Sequence, residues 1–203
     1  DFLAKQIRKI LDFYNLGDFD SIISKSKKLL KKYPDFSPLY NFLGISYRQL
    51  GDIKLAEKVF LEGYSKDPKN PGILTNLGSI YRIKNKKRES LRYFKESFKI
   101  NPNDIALLLN YANALGDFHK VQESISLLEK ARLIDKNNQT VLINLASSYQ
   151  NLGRFEDARN LLIEIIQKFP GLTIPHKLLS DITKYKVNDK HHLQMLNHAE
   201  YMD

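Results

Sequence analysis

Residues 37–70 read SPLYNFLGISYRQLGDIKLAEKVFLEGYSKDPKN, and the order of large, small, aromatic and punctuating residues in this stretch decides the fold. Leu43-Gly44 sets a small residue beside a large apolar one, Tyr47 follows one turn later, and Gly51 closes the run. A second run carries Ala56 and then Phe60 before Pro68 stops it. Apolar residues at i, i+4 line one face of a helix. Glycine just past the last turn is a helix stop, and proline cannot continue a helix interior. The stretch is therefore a helix, a tight turn and a second helix.

The same order recurs in both directions along the chain. Proline falls at Pro34, Pro68, Pro102 and Pro170, a spacing of 34 residues with one place skipped at Lys136. The seventh and eighth places of successive stretches are Leu43-Gly44, Leu77-Gly78, Tyr111-Ala112 and Leu145-Ala146, and the eleventh is Phe13, Tyr47, Tyr81, Leu115 and Tyr149. On the second helix one contact place holds Ile22, Ala56, Ser90, Ser124 and Ala158, with Phe60, Phe94, Leu128 and Leu162 a turn later. A fixed period of this length marks stacked units, each of which leaves an apolar face for its neighbour to cover. Five units fill 1–172: 3–36, 37–70, 71–104, 105–138 and 139–172. The tail, 173–203, is expected to form a capping pair of helices over 173–185 and 189–202 or a junction to a further domain. Unit one departs at Ile10 and Ser26. Unit four lacks the proline and has His119 where glycine is usual, so its turn is the weakest guide to register.

These places, in this order, resemble the tetratricopeptide repeat over about 170 of the 203 residues. The resemblance implies an all-α, right-handed α-solenoid of about five helix–turn–helix repeats with a C-terminal capping helix pair. It also implies a protein–protein interaction scaffold that holds an extended peptide in its concave groove. Helix starts agree with this independently. Ser37-Pro38 and Asn70-Pro71 put a capping side chain before a proline whose missing N–H costs nothing there, and Asp18 and Asp52 suit helix N-termini. No stretch alternates Val, Ile or Thr with polar residues for a strand's length.

Of the 32 Lys and Arg against 23 Asp and Glu, residues 1–101 hold 21 against 11 and residues 102–203 hold 11 against 12. The excess lies in the first half, where it would attract an acidic segment, phosphate or nucleic acid. The plain reading is a solvated outer face: Lys27, Lys28, Lys31 and Lys32 lie on or beside the second helix of unit one, and Lys84, Lys86, Lys87 and Arg88 occupy a turn. A nucleic-acid surface would also want exposed aromatics among those cations, and the Tyr and Phe residues are mostly taken by core places. The partner class expected is a protein or peptide of acidic character, not a membrane or nucleic acid. There is no cysteine, no signal peptide and no apolar run near the roughly 18 residues of a membrane span, from which a reducing, cytoplasmic setting is expected. An opening residue of Asp1 in place of Met is expected of a piece cut from a longer chain.

The first helices are expected to line the groove. Their sixth place is Asn76, Asn110 and Asn144 in units three to five, interrupted by Phe42 and Arg8 in units two and one. A carboxamide both donates to a peptide C=O and accepts from its N–H, which suits holding a backbone whatever its side chains. In proteins similar to this one an asparagine ladder at this place clamps the guest's main chain, and the resemblance carries that role to these three. Arg48 and Arg82 share the twelfth place, where a guanidinium would pair with an acidic side chain or terminal carboxylate. The likeness to carboxylate-clamp adaptors is partial, because Gly72 and Asn76 stand where those repeats carry lysine and arginine. Asn41, Asn113, Gln150 and Asn151 are further polar candidates.

Nothing in the residues spells catalysis. There is no cysteine nucleophile, no glycine-rich phosphate loop and no HExxH spacing. His191-His192 lacks a third metal ligand, and His119 and His198 carry no role, so neither cofactor nor metal is expected. The run His176-Lys177-Leu178-Leu179-Ser180, then Lys184-Tyr185, Asp189, His192-Leu193 and Met195, is loosely similar to the junction between such repeats and a C-terminal sulfotransferase domain in certain bacterial proteins. That likeness implies a substrate-presenting region of a longer enzyme, with no donor-binding loop in this chain.

Overall fold

The computed structural model describes residues 2–183. Among them there is no strand, and eleven helices follow one another: α1 (Phe2–Asn15), α2 (Phe19–Leu30), α3 (Ser37–Gln49), α4 (Ile53–Lys66), α5 (Pro71–Ile83), α6 (Lys87–Ile100), α7 (Ile105–Asp117), α8 (Val121–Ile134), α9 (Gln139–Asn151), α10 (Phe155–Lys168) and α11 (Thr173–Asp181). The chain falls into two compact units, Asp1–Phe118 and His119–Asp203. In the first, each second helix packs between two first helices: α2 against α1 and α3, α4 against α3 and α5, α6 against α5 and α7. The first helices α3, α5 and α7 also touch in succession, so they form one layer and the second helices another. In the second unit α9 lies against α8 and α10, and α11 packs on α9 and α10.

The large–small pairing works by volume. A Cβ placed on Gly44 would come within 2.5 Å of the Phe60 ring, and one on Gly78 within 2.9 Å of Phe94. Both phenyl rings are fully buried against the backbone of the partner helix. Gly63 does the same within its repeat and towards the next, since its Cβ would meet Tyr40 at 2.6 Å and Ile73 at 2.7 Å. Truncating a ring so enclosed costs about 3–5 kcal/mol in general. Unit one reverses the assignment. Ile10 stands in the glycine place and Ser26 in the phenylalanine place, and both have no exposed surface. The departure therefore moves bulk from the second helix to the first and leaves the interior filled.

The turns keep the period. Gly17, Gly51 and Gly153 have φ of 70°, 84° and 80°, and the intervening places are held by Asn85 at 54° and His119 at 61°. Left-handed backbone ends the helix by bringing the next N–H back to a carbonyl five residues earlier. Asp18 N to Phe13 O is 2.9 Å, Asp52 N to Tyr47 O 2.9 Å, Lys86 N to Tyr81 O 2.8 Å and Arg154 N to Tyr149 O 2.9 Å. His119 thus occupies the glycine conformation, and the register of unit four holds.

Helix starts largely follow expectation. Asp18 and Asp52 accept from Ser21 N and Leu55 N, and Asn70, Asp104 and Asn138 from Ile73 N, Leu107 N and Val141 N. Ser37 is the exception. The cap of α3 is Phe36, without a side-chain bond, because the Ser37 hydroxyl turns sideways: it donates to Asp67 Oδ2 at 3.1 Å and accepts from Asn70 Nδ2 at 2.9 Å. The serine thereby ties one repeat to the start of the next. In the tail, α11 begins at Thr173 as expected and ends at Asp181, short of residue 185. The expected second capping helix, the His191-His192 pair, His198 and the run from Lys184 to Met195 lie outside the described residues.

Candidate functional site

The first helices carry the candidate residues, and the structure sorts them by what they already hold. Asn76 on α5 is 9% exposed, and its carboxamide is spent within the fold. Its Nδ2 donates to Asn41 Oδ1 at 2.8 Å and to Gly72 O at 3.0 Å, while its Oδ1 accepts from Arg48 Nη1 at 2.9 Å. Asn41, Arg48 and Asn76 are therefore one network, running from α3 to α5. Asn76 does not present both edges of its amide to a guest, because α3 supplies a partner to each edge. Asn110 on α7 is half-buried and donates only to Ala106 O of its own helix, at 2.8 Å. Its carbonyl and second N–H have no partner among the described residues.

The two arginines differ as well. Arg82 pairs with Asp117 at 2.5 Å. Arg48 has no carboxylate partner among the described residues. Burial pulls it below the ordinary guanidinium value, and Tyr14 on α1 lies close enough to act on it electrostatically. Asn113 is half-buried on α7. In the second unit Asn144 is half-buried on α9, and Gln150 donates from Nε2 to Leu178 O at 2.8 Å, holding α11 against α9.

Beside Asn76 an open cleft of about 180 Å³ lies between the start of α5, the end of α6 and the start of α7. Thr75 and Ser97 line it where units one and five have Ile7 with Leu29 and Ile143 with Ile165. Both hydroxyls bond to Pro71 O, at 2.8 and 2.9 Å. The smaller pair leaves the space that the aliphatic pair would fill.

Elsewhere, charge is largely local. Lys84 pairs with Glu57 at 2.6 Å, Lys66 with Asp35 at 2.9 Å and Arg132 with Glu164 at 2.7 Å. Burial, with Glu57 nearby, pushes the Tyr81 hydroxyl up to about 12. Ammonium groups sit over aromatic faces in the basic half, Lys27 over Tyr47 at 5.5 Å and Lys84 and Lys86 over Tyr81 at 5.8 and 5.9 Å. Those faces are occupied by the chain's own cations. His176 is buried on α11. Among the described residues no group of three His, Cys, Asp or Glu could hold a metal ion, and no helix is long and apolar enough to cross a membrane.

Sequence reading missed three features of this face. Asp117 as the partner of Arg82, Tyr14 beside Arg48, and the apolar ninth place of units one and two (Leu11, Ile45) were all open to a column-by-column comparison of adjacent repeats.

Comparison with known proteins places the chain among helical repeats. One model described as tetratricopeptide repeat matches residues 37–70 and 71–104, and a second model of the same description matches 117–196. No curated protein sequence matches. Among solved structures, a thermophilic TPR protein from Thermus thermophilus superposes with a TM-score of 0.70 at 17% identity, covering 88% of this chain and 97% of that one. A tetratricopeptide repeat protein from Parabacteroides merdae gives 0.71 at 19% identity, over 98% of this chain and 75% of that one. YrrB, described as a TPR protein with an unusual peptide-binding site, gives 0.65 at 16%, over 84% and 88%. At these identities the likeness speaks to fold.

Proposed function

The chain belongs to the tetratricopeptide repeat superfamily and is thereby a protein-interaction scaffold, and from that premise we propose that its first helices hold an extended peptide segment by the main chain. The observation that supports this most is Asn110. It occupies the sixth place of its unit, half-exposed, with an acceptor and a donor unused by the described residues. A single carboxamide satisfies a peptide's C=O and N–H together and is indifferent to the guest's side chains. Asn76 serves differently in this reading: it fixes the spacing of α3 and α5 through Asn41 and Arg48. YrrB, similar in fold, has a peptide-binding site of its own.

The test is selection from a random octapeptide library displayed on phage against the immobilised chain. Enriched peptides, resynthesised, should lose about thirtyfold in affinity to Asn110→Ala, the equivalent of roughly 1 kcal/mol for each of two lost hydrogen bonds, with helicity unchanged by circular dichroism. Equal losses from Lys27→Ala or Lys31→Ala on the second-helix side would move the binding surface there. A library that enriches nothing would remove the peptide reading.

A further inference from the structure

The ninth place of successive units is Leu11, Ile45, Ser79, Asn113 and Ser147, and the twelfth is Tyr14, Arg48, Arg82, Gly116 and Gln150. Residues at these two places are i, i+3 neighbours and share one face of their helix. That face is therefore apolar in units one and two, beside Arg48 in the second, and polar in the later units. Leu11 is 44% exposed, and Ile45 is half-buried. Arg82 finds its anion in Asp117, the thirteenth place of the following unit. The matching residue for Arg48 is Ile83, 58% exposed, so this guanidinium turns to a neutral carboxamide, Asn76, and to the neighbourhood of a neutral phenol, Tyr14. A guanidinium cannot shed its proton to escape burial. It stays charged, part-desolvated and without a counter-anion among the described residues.

We propose that this face reads an acidic residue two positions from a large apolar one in an extended guest, Arg48 taking the internal Asp or Glu carboxylate and Leu11, Ile45 and Ile83 receiving the apolar side chain. The claim rests on the peptide reading above and adds the guest's chemistry. The geometry suits it. Alternate residues of an extended chain face the same side, roughly 6.5–7 Å apart, close to the 5–6 Å between i, i+3 positions on a helix. Charge-assisted, bidentate pairing gives such a carboxylate an advantage that a neutral amide lacks, and the basic first half of the chain attracts acidic segments from a distance.

The octapeptide selection described above tests it, because phage-displayed peptides have no free C-terminus. The enriched sequences should carry an acidic residue two places from Leu, Ile, Phe or Met. The consensus peptide, made with an amidated C-terminus, should bind about tenfold more tightly than the same peptide with Gln for Glu or Asn for Asp, a comparison that needs no protein variant. Arg48→Gln should erase that tenfold difference and Arg82→Gln should leave it intact, while Leu11→Ser and Ile83→Ser, at exposed positions, should weaken binding of both peptides. A consensus without an acidic residue, or one whose acidic preference survives Arg48→Gln, overturns the proposal. Binding only by the free-acid form of the peptide overturns it too, in favour of a terminal carboxylate. Either result, with Asn110→Ala still weakening the enriched peptides, leaves the main-chain clamp standing; failure to enrich any peptide removes both.

Discussion

His119 shows how one residue can keep a period while breaking its consensus. With φ of 61° it sits in the backbone region that Gly17, Gly51 and Gly153 occupy without strain, and Asn85 joins it at 54°. A side chain in that region costs about 1 kcal/mol or more, less for asparagine, which visits it readily. His119→Gly should therefore raise stability by about 0.5–1 kcal/mol, and Asn85→Gly by less. Gly51→Ala should lose about 1 kcal/mol even though its Cβ would meet nothing within 4 Å, so the loss is one of backbone alone. Urea unfolding of the three variants is the measurement. A Gly51→Ala protein as stable as its parent would mean that the turn does not hold its left-handed residue.

At the scale of the element, the fit of helix on helix is set by which of two facing places is large. Gly44 against Phe60 and Gly78 against Phe94 put the bulk on the second helix; Ile10 with Ser26 puts it on the first. Ile10→Gly alone should open a cavity and Ser26→Phe alone should overpack, each costing about 2–4 kcal/mol. The double variant should recover about 1–3 kcal/mol of the sum as coupling, apart from the roughly 1 kcal/mol that glycine costs in a helix interior. A double-mutant cycle by denaturant unfolding reads this directly, and strictly additive losses would show that the two places do not share one space. The buried Ser26 hydroxyl, which has no hydrogen-bond partner among the described residues, belongs to the same compromise: the place that elsewhere holds a ring here holds a small residue whose one polar atom goes unused.

At the scale of the whole molecule, the division into Asp1–Phe118 and His119–Asp203 runs through the turn of the fourth repeat, between α7 and α8. Each unit has its own buried interior, with Phe60 and Phe94 in the first and Leu162 and Ile165 in the second. Repeat arrays are stabilised by neighbour terms and open in segments. Native-state hydrogen exchange should accordingly give two sets of opening free energies that change over at residues 118–119. One uniform value from α1 to α10 would contradict this.

The architecture was legible from residues alone because it depends on local, recurring signals: the large–small pairs, the turn residues and the capping side chains each act over one or two helical turns, and the period repeats them. Even His119 kept its place, since the period constrains a turn that its own composition leaves open. The candidate site was legible only as a set of columns. Which members of a column are available was decided by tertiary packing, because a polar side chain takes the nearest partner within reach of 3 Å or so, and that partner sits on another repeat. Asn76 and Arg82 met theirs in Asn41, Arg48 and Asp117; Arg48, with Ile83 in the register place that Asp117 fills for Arg82, met no carboxylate among the described residues.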